Sequence, residues 1–146
     1  MALIRLPIFV LLLGGPIVLA DEHRAHVNYM LHCQGCHLPE AEGFANKVPP
    51  MKDFVGYFLH SQEGREFLIR VPGVAHSALN DEELTELLNW VVQTFSAKQL
   101  PDDFRPFTKE EIAKLRDLPE LDPEHARAII LADIASELPK LAAELR

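Results

Sequence analysis

The stretch Cys33-Gln34-Gly35-Cys36-His37 contains both cysteines of the chain and decides how the rest of the sequence is interpreted. Two thiols at this spacing, followed directly by a histidine, form a pattern through which haem is covalently attached to protein. In that pattern each thiol adds to one vinyl group of the same porphyrin, and the histidine is the proximal ligand of the iron. We therefore expect Cys33 and Cys36 to bind the porphyrin and His37 to bind the iron.

Other interpretations of the two cysteines are a redox dithiol, a zinc site and a structural disulfide. A redox dithiol normally lies beside a βαβ pattern, which this sequence does not show. A zinc site needs about four ligands, commonly from a second cysteine pair, and the sequence has no second pair. A disulfide between Cys33 and Cys36 would be strained and would close a very short loop. The sequence therefore favours haem attachment.

Length and composition limit the possible architectures. The chain has 146 residues, of which 48 % are hydrophobic and 25 % charged, as in an ordinary globular protein. That length allows one domain, or a small domain with an appended tail. No uninterrupted apolar run reaches the length of about 18 residues that a membrane span needs. The net charge of −8 disfavours nucleic-acid binding, because cations must replace the counterions of the phosphates.

Residues 1–20 have the features of an export signal. Arg5 is an early cation, an apolar stretch follows, and Gly14-Gly15-Pro16 interrupts it before Ala20. We predict a signal peptide that is cleaved after Ala20; the alternative is an uncleaved membrane anchor. Removal of Arg5 leaves 13 basic and 22 acidic residues, so the mature chain carries a charge of −9. We expect this mature chain in the periplasm, without stable membrane insertion.

The remaining sequence predicts an all-α protein, because no strand pattern is convincing. We predict helices over 21–36, 57–70 (in one or two pieces around Gly64), 80–95 and 108–117. A further helix over 124–145 is expected to bend or split at Pro139. Val71-Pro72-Gly73 is expected to form a turn. Residues 21–97 are interpreted as a core domain and 98–146 as a helical extension.

Two capping boxes and one apolar stripe support these helices. Asn80 with Glu83 and Thr108 with Glu111 have the spacing at which side chains satisfy free amides at a helix start. The last helix carries an apolar stripe that either packs on the core of its own chain or docks on a partner. The stripe consists of Ala126, Ile130, Ile134, Leu138 and Leu141.

Over residues 21–97 the sequence resembles a small class I cytochrome c. Ala25, Tyr29 and Cys33 stand at the successive four-residue steps of that family's N-terminal helix. Trp90 matches the aromatic residue of the family's C-terminal helix. The resemblance implies a cytochrome c-like helical fold around one covalently bound haem c. It also implies that the two helices cross closely at Ala25, with Tyr29 and Trp90 packed near the crossing.

The same resemblance assigns the loop after the haem motif. Val48-Pro49-Pro50-Met51 matches the family's segment on the proximal side of the haem. It implies that the Pro49 carbonyl accepts a hydrogen bond from His37, which would orient the ring and make it a better donor to iron. It also places Met51 in apolar contact with the haem.

The sixth iron ligand is where this sequence departs from the family. Class I cytochromes usually place a methionine shortly before the C-terminal helix, but here no methionine follows Met51. His76, at the end of Pro72-Gly73-Val74-Ala75-His76, stands at the corresponding place. The resemblance therefore implies His37/His76 ligation. The alternatives are Met51 through a rearranged loop, His60, or an open sixth position.

The function implied by the resemblance is transfer of single electrons between redox proteins, without an enzymatic activity. The acidic mature chain predicts a redox partner with a basic docking patch. Two other functions are compatible with the sequence. One is a haem subunit of a larger dehydrogenase complex, docked through the extension. The other is a haem sensor or enzyme with an open iron position.

Overall fold

The computed structural model describes the backbone of residues 17–145, with side chains from residue 22. Most of the predicted signal peptide, residues 1–16, lies outside this range. The helices are α1 (Ile17–His32), α2 (Gln34–His37), α3 (Gln62–Arg70), α4 (Pro72–Ala75), α5 (Asp81–Ser96), α6 (Lys109–Leu115), α7 (Pro123–Glu137) and α8 (Pro139–Glu144). Two 3-10 segments span Val55–His60 and Ala97–Gln99. Residues 17–145 contain no strand, only an isolated bridge between Phe44 and Val48, so the predicted all-α fold is confirmed. Within that range no helix is both long and apolar enough to cross a membrane.

The crossing of α1 and α5 organises the core. Ala25 is 1 % exposed, and its small side chain allows the two helices to approach closely. The Tyr29 ring lies 5.6 Å from the Trp90 ring and 5.1 Å from the Phe95 ring. An ion pair between Arg24 and Glu86 also connects the helices. The predicted packing of Tyr29 and Trp90 beside the crossing is confirmed.

The helix predicted over 21–36 is divided in two. Cys33 separates α1 from α2 because its φ of −122° lies outside the helical range. The Cys33 carbonyl still accepts the amide of His37, at 2.9 Å. The haem motif therefore occupies a separate short turn, and the prediction of one continuous helix was wrong.

The segment predicted as helical over 57–70 is also divided, but at Ser61 rather than at Gly64. The Ser61 hydroxyl accepts the Gly64 amide at 2.9 Å and caps the start of α3. A Cβ on Gly64 would lie 2.1 Å from the Phe58 carbonyl oxygen. Gly64 is thus required for close packing and is not the point of division. The predicted turn at Val71-Pro72-Gly73 is instead the start of α4, with Pro72 in its first turn.

The extension packs on the core of its own chain. Phe107 and Ile112 join the buried cluster around Tyr29, Leu84 and Leu87. A second buried cluster joins the extension to α3 and to the 3-10 segment Val55–His60. Its buried members are Tyr57, Phe58, Phe67, Leu131, Ile134 and Leu141. Both predicted capping boxes, at Asn80 and Thr108, are formed. The predicted division of the last helix at Pro139 is confirmed, since α7 ends at Glu137 and α8 begins at Pro139.

Tyr57 links this second cluster to the end of the chain and predicts a loss of stability at alkaline pH. Its hydroxyl donates to Glu144 Oε1 at 2.8 Å. Burial, followed by the hydrogen bond and charge of Glu144, raises the pKa of Tyr57 to about 12. The folded state therefore keeps a proton that the unfolded state, with a tyrosine pKa of about 10, loses. This contribution to stability is complete below pH 10 and is lost as the pH rises towards 12.

The Tyr57→Phe variant is expected to lose less stability than wild type between pH 10 and pH 12. Chemical unfolding followed by circular dichroism across that range provides the measurement. Tyr29, whose pKa burial also raises to about 12, contributes in the same direction, so part of the alkaline loss stays in the variant. Equal losses in the two proteins would contradict the contribution of Tyr57.

Candidate haem-attachment site

The cysteine pair is presented by one helical turn. The Cys33 carbonyl accepts the amides of Cys36 and His37 at 3.1 and 2.9 Å. Cys33 is half-buried and packs against the buried cluster around Tyr29, Leu84 and Leu87, whereas Cys36 is exposed. Both are free thiols, so the structure does not contain the disulfide considered above. Two free thiols and a histidine on one turn provide the groups that covalent haem attachment needs.

The electrostatic environment of Cys33 differs from that of a redox-active thiol. Burial raises the pKa of the Cys33 thiol to about 11, and the neighbouring Cys36 acts in the same direction. Reactive cysteines in dithiol motifs usually have a lowered pKa, because the thiolate is the nucleophile. Cys33 is therefore held as a thiol at neutral pH, which argues against a redox dithiol.

His37 is held in the neutral form that binds metal ions. Burial lowers the pKa of its imidazole, and the nearby Pro49 carbonyl opposes this effect as an acceptor. His37 and the Pro49 carbonyl nevertheless form no hydrogen bond of normal geometry: His37 Nδ1 is buried and has no hydrogen-bond partner among the described residues. A buried ring nitrogen normally has a partner, and an iron ligand usually donates through its other nitrogen. His37 and Pro49 therefore fit a haem iron on the remaining nitrogen.

Gly43 makes the approach of Pro49 to the haem motif possible. It adopts a φ of +66°, and its amide donates to the His37 carbonyl at 3.0 Å. A Cβ at this position would lie 2.3 Å from the Val48 carbonyl oxygen and 2.9 Å from that of Pro49. Only glycine tolerates both this positive φ and the lack of space for a Cβ atom. The close contact of Gly43 with Pro49 is visible only in the structure.

Met51 is fastened to the same loop as Pro49. Its amide donates to the Ala41 carbonyl at 2.8 Å, and the amide of Lys52 donates to the same oxygen at 3.0 Å. The Met51 side chain is half-buried and packs against the buried cluster around Tyr29, Leu84 and Leu87. These bonds tie Met51 to the residues that follow His37.

Tyr29 also fixes the chain next to His37, a role that the sequence did not reveal. Its hydroxyl donates to the Leu38 carbonyl at 2.5 Å. The hydrogen bond fastens the residue after the histidine to α1, nine positions earlier in the chain. The sequence identified Tyr29 only as a core residue.

His76 and His60 occupy different environments. His76 is exposed and caps the end of α4, where its amide donates to the Pro72 carbonyl at 3.1 Å. His60 Nε2 lies 2.9 Å from the Gln99 carbonyl oxygen, so that ring nitrogen is already engaged. Of these two histidine side chains, that of His76 is the more available to bind a metal ion.

The zinc interpretation has no geometric support in the part of the chain that the structure describes. No group of three or more histidine, cysteine, aspartate or glutamate side chains is arranged there to hold a metal ion. The all-helical fold of residues 17–145, the two unpaired cysteines and the adjacent histidine fit a haem-attachment protein of the cytochrome type.

Known proteins support the same class. No protein-family model matches the chain. It is 32 % identical over 124 residues to a cytochrome c-552 of Thermus thermophilus, a match covering 73 % of this chain and 82 % of the relative. A second Thermus thermophilus cytochrome c-552 is 30 % identical over 102 residues, covering 58 % of this chain and 78 % of the relative. The chain belongs to the c-type cytochromes and carries haem c.

Proposed function

We propose that this protein is a periplasmic carrier of single electrons, with haem c attached through Cys33 and Cys36 and its iron bound by His37 and His76. The observation that carries the proposal is that the half-buried His37 shares one helical turn with Cys33 and Cys36, two cysteines that form no disulfide. When bound, the haem supplies a one-electron couple between ferric and ferrous iron. The chain itself would hold the cofactor covalently through Cys33 and Cys36 and would supply His37 to the iron.

The positions of the other candidate ligands support His76 as the sixth. Met51 is fastened through the Ala41 carbonyl to the residues that follow His37, which supports a position on the His37 side of the haem. His60 is engaged by the Gln99 carbonyl. His76 is exposed in the segment before α5, where the family places its distal ligand. Imidazole is a stronger donor than a thioether and favours ferric iron, so we propose a lower reduction potential than that of a His/Met cytochrome.

The charge of the protein supports a docking mechanism. The mature chain has a net charge of −9 when residues 1–20 are removed. We propose that its redox partner presents a basic patch and that the two proteins form a small, transient interface. The packing of the extension on its own core supports a separate carrier over a dehydrogenase subunit docked through the same apolar stripe.

A salt dependence follows from this charge. The second-order rate of electron exchange with a basic redox protein is expected to fall as ionic strength rises from about 10 to about 200 mM, by about tenfold or more. With an acidic redox protein the rate should instead rise over the same range. Stopped-flow spectroscopy measures both rates, and an equal response to salt with the two partners would contradict electrostatic docking.

The ligation is tested by comparing His76→Met with wild type. A thioether charge-transfer band in the far red is expected only in the variant, and its reduction potential should be higher than that of wild type. His76→Ala is the matched control, because it removes the side chain without supplying a thioether; its reduced form should bind carbon monoxide. Wild-type-like spectra in both variants would exclude His76 as the sixth ligand.

A further inference from the structure

One arginine of the extension binds the segment that carries His76. Arg116 directly follows α6, and its side chain is only 14 % exposed. Its guanidinium donates to the Ser77 carbonyl at 2.6 Å, to the Leu79 carbonyl at 2.9 Å and to Asp81 Oδ1 at 2.9 Å. Two longer contacts of 3.4 Å reach the Ala75 carbonyl. One side chain thus contacts four acceptors between the end of α4 and the start of α5.

This pattern of contacts suits an arginine that fixes a loop. Residues 76–80 lie between α4 and α5, and their conformation depends on what holds their backbone. The guanidinium is planar and offers five donors in a rigid fork, so it can bind several carbonyls in one arrangement. Burial strengthens such charge-assisted hydrogen bonds. Ala75 and Leu79, on either side of His76, are themselves buried.

We infer that Arg116 is a positioning residue for the sixth iron ligand: it holds residues 75–81 so that His76 stays on the haem iron. The inference rests on the proposed His76 ligation. It assigns the extension a role in keeping the iron six-coordinate, because Arg116 lies 40 residues after His76 and belongs to the extension. Without this contact, the His76 segment is expected to open more often than the rest of the protein unfolds.

Arg65 provides a matched control for the loss of a buried arginine. Its side chain is also 14 % exposed and binds the extension through Glu111, at 2.6 and 2.7 Å. It donates as well to the carbonyls of Arg105 and Pro106, at 2.7 and 3.0 Å. Arg65 therefore fastens the extension as Arg116 does, but its hydrogen bonds go to the extension and not to residues 75–81.

The experiment uses the purified holoproteins of wild type, Arg116→Ala, Arg116→Lys, Arg65→Ala and His76→Ala. Cyanide is the probe, because it binds ferric haem when the sixth ligand dissociates. Cyanide binding is expected to be about tenfold or more faster in Arg116→Ala than in Arg65→Ala, since at least one charged hydrogen bond to the segment is lost. The lysine variant keeps the charge but not the fork and should bind cyanide at an intermediate rate.

The thermal transitions distinguish a local role from a general one. The six-coordinate spectrum of Arg116→Ala should disappear at a lower temperature than its far-ultraviolet dichroism, whereas the two signals of Arg65→Ala should change together. If Arg116→Ala does not fold, Arg116→Lys and Asp81→Asn, which each keep part of the contact, are measured in its place.

The outcomes separate this inference from the ligation on which it rests. If His76→Ala binds cyanide rapidly but Arg116→Ala behaves like Arg65→Ala, the positioning role is overturned and the ligation stands. If His76→Ala binds cyanide no faster than wild type, the ligation fails and the inference fails with it. Rapid binding in both His76→Ala and Arg116→Ala, with slow binding in Arg65→Ala, is the expected result.

Discussion

Replacing both Cys33 and Cys36 by serine is expected to abolish covalent haem incorporation. A serine hydroxyl does not form the thioether that a thiol forms with a porphyrin vinyl group. The chain has no other cysteine, so the double variant retains no group for attachment. Haem stain after denaturing electrophoresis should fall from full intensity to background, and the denatured polypeptide should have the mass of the bare chain.

The single variants provide the control for this prediction. Cys36→Ser should keep one thioether to the half-buried Cys33, and Cys33→Ser one thioether to the exposed Cys36. Each should retain haem through denaturation, with a pyridine haemochrome spectrum shifted from that of wild type because one vinyl group stays unreacted. Covalent haem in the double variant would show that attachment occurs elsewhere, and the assignment of both cysteines would be wrong.

Removal of residues 98–146 is expected to leave a chain without a stable fold. Ile112 and Leu141 have 0 % of their surface exposed, and the deletion also removes Phe107, Leu131 and Ile134 from the two core clusters. Burial of each large apolar side chain contributes about 1.5–3 kcal/mol. Five such losses are comparable to the total stability of about 5–15 kcal/mol of a typical domain.

Single substitutions give a finer measurement of the same effect. Ile112→Ala and Leu141→Ala should each lower the free energy of unfolding by about 2–5 kcal/mol, because each leaves a cavity in a filled core. Leu121→Ala is the matched control: Leu121 is 93 % exposed, so a change within about 0.5 kcal/mol is expected. Denaturant unfolding of the holoproteins measures all three. A truncated protein as stable as wild type would contradict the packing of the extension on the core.

Features that depend on neighbouring residues were predictable from the sequence. The capping boxes at Asn80 and Thr108 form as predicted, because the side chains involved lie within one helical turn. The division at Pro139 follows from the missing amide of proline and is likewise local. The proximity of Cys33, Cys36 and His37 follows from their spacing alone.

Features set by contacts between distant segments were not predictable. The helix divisions at Cys33 and Ser61 are local but were also missed, because neither position carries a proline or glycine that would mark it. Arg116 contacts acceptors in residues 75–81, which precede it in the chain by 35 to 41 positions. A basic residue after a short helix carries no sequence signal of such a contact. The approach of Pro49 to Gly43 depends in the same way on how the loop folds back.

A spectroelectrochemical titration of the purified holoprotein, repeated under carbon monoxide, tests the proposed carrier function most directly. A carrier with both axial positions bound by the chain should show one reversible one-electron transition with complete recovery of the ferric spectrum. The reduced spectrum should stay the same when carbon monoxide is added. Formation of a carbon monoxide complex by the wild-type protein would contradict the account, because it would show an open iron position of the kind that a haem sensor or enzyme needs.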